Sequence, residues 1–355
     1  MVALSAVTLT QLEAFVLVAR LGSVTAAART LGVSEPAISG ALASLRRQFD
    51  DNLVERSPHG MTLTPGGRRL VGIASQMVSL AAEAEEEIRR ANGAPERLRV
   101  IATNAIADSV APALLAAFQT RVGPMEVTLG LATSEEMAAI VQERLADVAL
   151  GPRISGPQAA GLDCLPLFRY HLVILAGPHH RLTVPEHRRV GSEHRPAGPE
   201  HRPAGPEHRP AGPVSIPLQV LADETWLVDP DATDPGSPVH RILARLGVPE
   251  KQVRVFPGQA AAWVAAEKGE GIAPAISHLV AAELRRGSLV ALDVEGMPLE
   301  LMWHSTTLLA DRRSPAVAAF RRFVATPDAT HAMYTPLSGV PPSRFRPPVY
   351  VTLWS

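Results

Sequence analysis

A single cysteine, Cys164, is all the thiol in a chain of 355 residues. It can build neither a disulfide framework nor a cysteine-based metal site, and it points to a reducing compartment. Lysine is almost missing too: Lys251 and Lys268 stand alone, so the positive charge is carried by arginine. No window reaches the roughly 18 apolar residues of a membrane span. Residues 1–20 lack the cationic start of an export signal, and Thr8, Thr10, Gln11 and Glu13 break any long apolar run. A cytoplasmic protein with no membrane partner is expected. Charge of one sign is absent as well, with 34 basic residues against 35 acidic ones. That excludes a coat for nucleic acid built on bulk charge and leaves room for a small head that docks locally. The equipment of an enzyme is missing. There is no Walker-type loop, and Gly269–Gly271 is too short and misplaced for a dinucleotide fingerprint. His179-His180 reads as a polar loop and Cys164 as packing within an apolar strand. No catalytic residue, metal site or cofactor is expected.

What is present is apolar substance, 46% of residues, enough for the cores of two or three domains. Leu9, Leu12, Phe15, Val16 and Ala19 share one face at helical spacing, and Gly22 ends that helix. Ser23 is placed to cap a second, short helix, Val24 to Leu31, whose Ala26, Ala27 and Ala28 allow close crossing. Gly32 stops it. Ser34 then caps a third helix with Pro36 in its first turn, where a missing N–H costs nothing. Ile38, Ala41, Leu42 and Leu45 line its inward face, so residues 34–40 point outward at a groove-facing end. From Leu53 to Thr64, two short runs flank Ser57-Pro58-His59-Gly60, a turn signal that predicts a hairpin wing. Arg56, His59, Arg68 and Arg69 lie where they would reach phosphates.

The segments LEAFVLVARLGSVTAAARTLGVSEPAISGALASL and LVERSPHGMTLTPGG resemble, densely over residues 9–67, the head of LysR-type transcriptional regulators. The resemblance implies a winged helix-turn-helix that binds double-stranded promoter DNA. Ser23 and Thr25 would meet the backbone, Ser34, Pro36 and Ser39 would sit on the recognition helix, and Arg56 would be the wing arginine. The chain departs from the pattern at Glu35, where glutamine is usual, at Gly40, at Val54 and at Arg46–Arg47. Glu35 can accept from cytosine N4 but repels phosphate, which shifts docking onto Arg56, His59 and the Arg68–Arg69 pair.

Beyond Pro65, Leu70, Ile73, Met77, Leu80 and Ala84 alternate spacings of three and four, a coiled-coil seam. Glu83, Glu85, Glu86 and Glu87 form an acidic face, and Asn92-Gly93-Ala94-Pro95 ends the helix. A helix of about 40 Å needs a partner along such a stripe, so a homodimer or homotetramer is expected. Residues 96–326 alternate strands and helices, which predicts parallel sheet with ligand groups at strand C-termini. Their order resembles the same family's two-lobed, periplasmic-binding-protein-like α/β effector domain. The resemblance implies an inter-lobe cleft lined by Thr103, Asn104, Thr133, Ser134, the loop after Asp229, and Gln259. Hydroxyls and amides at helix starts suit a small polar or anionic metabolite. Effector binding would close the lobes, alter how dimers pack and change the spacing of the heads; RNA polymerase is a further candidate partner.

The expected organisation is therefore a head at 6–65, a linker helix at 66–93, an effector domain at 96–326 and a Pro-rich, extended tail at 327–355. Lobe 1 is assigned about 96–166 and 271–326, and lobe 2 about 167–270. A solute-binding protein whose head only dimerises is the alternative; an enzyme with a fused regulatory head is a third reading, separable by turnover of a bound small molecule. Wing and caps, with no export signal, count against the alternative. Glu-His-Arg-Pro-Ala-Gly-Pro occurs in tandem at 193–199, 200–206 and 207–213. Proline and glycine dominate it and it has no apolar face, so a disordered insertion over 185–213 is expected rather than a metal-binding tract. Deleting two units should leave DNA affinity and melting temperature unchanged; a gel-shift titration and a thermal melt on the shortened chain test this, and loss of either refutes it.

Overall fold

A computed structural model describes residues 7–57, 60–183 and 215–334. The repeat and His59 lie outside them. Contacts divide the chain into two units, cut at Phe168/Arg169 and Leu301/Met302.

The first unit opens with α1 (Leu9–Leu21), α2 (Val24–Leu31) and α3 (Glu35–Phe49), followed by the hairpin β1 (Val54–Ser57) and β2 (Gly60–Leu63). Local chemistry punctuates these elements. Thr8, Ser23 and Ser34 accept from the backbone N–H groups of Gln11, Ala26 and Ala37, supplying partners to otherwise orphaned donors. Gly22 and Gly32 close α1 and α2 in the left-handed conformation, at φ 64° and 63°. The hairpin pairs Val54 with Leu63 and Ser57 with Gly60, in keeping with the hairpin wing expected around the turn signal at 57–60.

The long helix α4 (Pro65–Ala91) is tied to the wing by a compact knot. Thr64 caps it, and the Thr64 hydroxyl also donates to Asp51, which accepts from the Leu53 N–H, both at 2.7 Å. These bonds hold the Asp51 carboxyl below the usual carboxylate range. A Cβ at Gly67 would sit 2.0 Å from the Leu53 carbonyl oxygen, so only glycine lets the helix start here. Ala74 and Val78 face the core, with Leu70 and Val71 against it. Ile73, Met77 and Leu80, 46% to 63% exposed, form a neighbouring, exposed stripe with Ala84 and Ile88. Leu70 therefore leaves the predicted seam and Ile88 extends it.

After α4 come β3 (Glu96–Ala102), α5 (Asn104–Asp108), α6 (Ala111–Val122), β4 (Met125–Leu131), α7 (Ser134–Gln142) and β5 (Val148–Gly151). β4, β3 and β5 are parallel, with Ala102 opposite both Leu131 and Leu150. The next strand, β6 (Leu162–Ala176), carries the chain into the second unit. There follow β7 (Trp226–Val228), α8 (Pro238–Leu246), β8 (Val253–Val255), α9 (Gln259–Glu267), β9 (Ile272–Ile276), α10 (Ala281–Arg286) and β10 (Val290–Ala291). β11 (Leu299–Leu308) returns to the first unit, which ends in α11 (Pro315–Val324) and α12 (Pro327–Tyr334).

Three expectations are corrected. The sheet is mixed, because β11 runs antiparallel to β5 and β6 antiparallel to β9. Residues 271–301 belong to the second unit, not to lobe 1 as assigned from sequence. β9 is buried at every position and bonded to β6 and β7, so the return crossing waits for β11. Finally, the tail does not begin extended. Pro327 starts a helix, where proline is tolerated, and α12 buries Ala329 and Met333. Phe168 meets Tyr334 at 4.6 Å between centroids, and Phe118 packs edge-on against Phe320 at 5.1 Å. Cys164 is half-buried, 3.3 Å from the Thr306 hydroxyl.

One hydrophobic cluster joins the head to the sheet of the first unit, with Phe15 and Val18 of α1 sharing it with Ala138 and Val141 of α7. At its edge sits Glu143, its side chain 1% exposed. The Ser75 hydroxyl lies 2.9 and 2.8 Å from its two oxygens and Arg20 Nε lies 3.3 Å away. Burial pushes its carboxyl up from the ordinary value, against the lowering by Ser75, Arg20 and Arg312. A raised carboxyl takes up its proton in the folded chain before the unfolded one, so its contribution grows as pH falls through the raised value and is lost as pH rises through it. Relative to Glu143→Gln, the wild type should gain stability on acidification from neutrality towards the ordinary carboxylate range; parallel denaturant titrations at several pH values would show the two curves converging or separating, and a pH-independent difference would contradict the assignment.

Candidate functional site

α3 carries its sequence-predicted face outward. Ser34, Glu35, Pro36 and Ser39 are exposed, whereas Ile38, Leu42 and Leu45 are buried beneath them. Thr25 is exposed on α2, and Ser23, at the cap of α2, is half-buried. Arg56 is exposed on β1, the wing's first strand, and Arg68 and Arg69 on the first turn of α4. Arg68 gives one N–H to the Leu63 carbonyl at 2.8 Å, so it braces the wing as well as offering charge. The described residues of the expected DNA-facing set thus bring hydroxyls, one carboxylate and three arginines to the head's surface, on a scaffold of three helices.

The polar residues at strand ends gather by register. Because Ala102 pairs with Leu131 and Leu150, Thr103–Asn104 and Thr133–Ser134 leave the sheet along one edge of the first unit. The Thr103 N–H donates to the Leu150 carbonyl at 3.3 Å, and Ala132 N–H to the Ala102 carbonyl at 3.0 Å. Gly151 keeps this edge close-packed, since a Cβ there would meet the Met137 sulfur at 2.6 Å. Thr133 precedes α7 and its N–H donates to Glu136, 2.9 Å away. In the second unit, Val228 pairs with Val255, which brings Asp229 and the start of α9, Gln259, to one edge of that sheet. Asp229 is 5% exposed. Among the described residues no group of three or more His, Cys, Asp and Glu side chains could hold a metal ion.

A family model described as bacterial regulatory helix-turn-helix protein, lysR family, matches residues 9–68, and one described as LysR substrate binding domain matches 91–193 and 203–327. The chain is 31% identical over 350 residues to the HTH-type transcriptional regulator Rv0377 of Mycobacterium tuberculosis, covering 97% of this chain and 99% of that protein. The chain belongs to the LysR family. It is a DNA-binding transcriptional regulator with a domain for a small-molecule effector, in a family of regulators rather than enzymes. The RuBisCO operon transcriptional regulator of Allochromatium vinosum is 27% identical over 318 residues, covering 90% of this chain and 95% of that one. Among solved structures, a full-length OxyR variant from Pseudomonas aeruginosa matches with a TM-score of 0.51 at 16% identity, over 94% of this chain and 99% of that one. ArgP from Mycobacterium tuberculosis gives 0.50 at 20%, over 93% and 97%. These likenesses support the fold. No described helix is long and apolar enough to cross a membrane.

Sequence reasoning missed the residues that join this LysR-type head to the sheet. Arg29 pairs with Glu136, Arg20 with Glu143, and Arg144 with Glu83 of α4. Their partners are 61 to 123 residues away along the chain, beyond any local pattern. Glu35, exposed in the first turn of the recognition helix, favours the helix dipole but opposes phosphate. Glu35→Gln should tighten binding to non-specific duplex DNA about two- to fivefold at low salt. Fluorescence anisotropy over a salt series checks this; unchanged affinity would place Glu35 away from the phosphates.

Proposed function

We propose that this regulator grips promoter DNA as a homodimer, or as a homotetramer of two such dimers, and that a small polar or anionic metabolite adjusts the placement of its heads. The observation that carries the reading is the exposed stripe Ile73, Met77, Leu80, Ala84 and Ile88 on a helix whose other face is already buried. A second copy laid along that stripe removes the apolar surface from water and pairs two recognition helices on a roughly twofold site. Ser23, Thr25, Ser34, Glu35, Pro36, Ser39, Arg56, His59, Arg68 and Arg69 are the DNA-facing set.

The effector is the only small molecule in this reading, with no resident cofactor. Thr103, Asn104, Thr133 and Ser134 in the first unit, and Asp229 and Gln259 in the second, are its candidate contacts. Their shared edge positions support this, because backbone N–H groups at helix starts and adjacent hydroxyls favour carboxylate or phosphate. The cytoplasm is the expected location, and RNA polymerase the expected partner once promoter geometry changes.

A nuclease footprint on the DNA upstream of the gene itself, with wild type beside Arg56→Ala, tests the DNA half of the proposal. A protected, roughly palindromic stretch should appear, and the variant should need about ten times more protein, the loss of one charge-assisted phosphate contact. No protection at low salt, where phosphate contacts are strongest, would overturn it in favour of a solute-binding protein.

A further inference from the structure

The first unit holds a recess of about 490 Å³ that neither the DNA-reading face nor the strand-end residues use. Its wall is made by α4, the start of β3, the turn after α7 and the segment before α11. Six arginines line it, Arg90, Arg97, Arg99, Arg144, Arg312 and Arg313, against four carboxylates, Glu83, Glu87, Asp147 and Asp311. Positive charge is thus in excess, in a chain whose total charge is close to zero.

The pairing shows where that excess falls. Arg99 gives two N–H groups to Asp147, at 3.1 and 2.8 Å, Arg90 pairs with Glu87 at 3.1 Å, and Arg144 pairs with Glu83. Arg313 turns to Asp163, which does not line the recess and is shared with Arg321. Arg312 bonds the Ser79 hydroxyl at 2.9 Å, and among the described residues no carboxylate lies within ion-pair distance of it. Guanidinium groups are planar forks that match phosphate and carboxylate oxygens two at a time. Several of them converging on a concave, partly screened space raise the local potential for a multiply charged anion.

We infer that this recess is a second binding site, taking a small anion of at least two negative charges, a phosphate ester or polycarboxylate. It is separate from the proposed effector contacts: Arg97 and Arg99 lie near the N-terminus of β3 and Thr103 follows its C-terminus, roughly 13–20 Å along the strand. An occupant touching Arg312 and the arginines of β3 also bridges α4 to the sheet, so it stiffens the mounting of the head.

Calorimetric titration of the full-length chain with inorganic pyrophosphate, at ionic strength held constant with sodium chloride, tests the inference. Wild type is compared with Arg312→Gln, Glu87→Gln and Thr103→Val, after melting curves without probe confirm that each is folded. Saturable binding should weaken about tenfold in Arg312→Gln, as expected for losing one charge-assisted contact. It should tighten in Glu87→Gln, where a carboxylate leaves the wall, and stay unchanged in Thr103→Val. Absence of saturable binding overturns the inference, as does equal binding by wild type, Arg312→Gln and Glu87→Gln. Loss of binding in Thr103→Val alone would assign the anion to the strand-end residues instead and equally overturn it.

Discussion

A helix in a protein is held mostly by packing of its apolar faces rather than by propensity, and α4, 27 residues long, carries the consequence. One of its faces, Ala74 and Val78 with Leu70 and Val71 beside them, is already enclosed by α1 and the neighbouring core. The other, Ile73, Met77, Leu80, Ala84 and Ile88, repeats at alternating spacings of four and three before a final step of four. A stripe of that period fits another helix rather than a sheet or a ligand. The single chain therefore satisfies half of α4 and leaves the other half to assembly. Everything mounted on the helix, the wing through Thr64 and Gly67 and the sheet through Ser75 and Ser79, inherits its direction.

The second determinant is charge held where water does not reach. Glu143 is almost fully enclosed, and a buried carboxylate is tolerated only when donors surround it. Ser75 comes from α4 and Arg20 from α1, so the donors belong to the head and linker while the acceptor belongs to the turn after α7. Arg144, next in sequence, takes φ 56° at the place in a helix-ending motif where glycine is usual, with Leu145 N–H bonded to the Ile140 carbonyl. A side chain at that position costs about 1–2 kcal/mol of backbone strain. In exchange its guanidinium reaches Ser79 and Glu83. Hydrogen-bonded charge of this kind favours one arrangement over its neighbours, because a small displacement strands the carboxylate without partners.

What the sequence made legible was local. Ser23, Gly32 and Ser34 declare the helix-turn-helix because capping hydroxyls and left-handed glycines act within three or four residues. The hairpin followed from a turn signal between two short runs, and the stripe on α4 from spacings of three and four. The strand-end residues were named through the family resemblance; local pattern marks them only as lying at or beside helix starts after short apolar runs. Their gathering at strand C-termini was expected, but the register that aligns Ala102 with Leu131 and Leu150 was not legible, because it is set by contacts tens of residues apart. Neither was the return crossing. β9 looks from its sequence like any buried run, and only its ladder with β6 and β7 assigns it to the second unit. The helix at Pro327 was hidden by the prolines around it, although proline at a first turn is compatible with a helix.

The placement of β3 limits how its two ends can communicate. Along its length the strand is bonded to β4 on one side and, near its C-terminus, to β5 on the other. Sliding by one residue would turn every side chain to the opposite face, exchanging Leu98 and Val100 for Arg97 and Arg99 in the core. Such a slip would also break the twin bonds from Arg99 to Asp147. The strand therefore transmits as a stiff bar. A change at Thr103 reaches the other end by tilting the sheet against its attachments, among them Arg29 with Glu136, the cluster of Phe15 and Val18 with Ala138 and Val141, and Glu143 and Arg144 with the serines of α4. The turn that follows α7 is thus the place where the sheet meets the helix on which the DNA-reading head is carried, and its bonded charge fixes that junction.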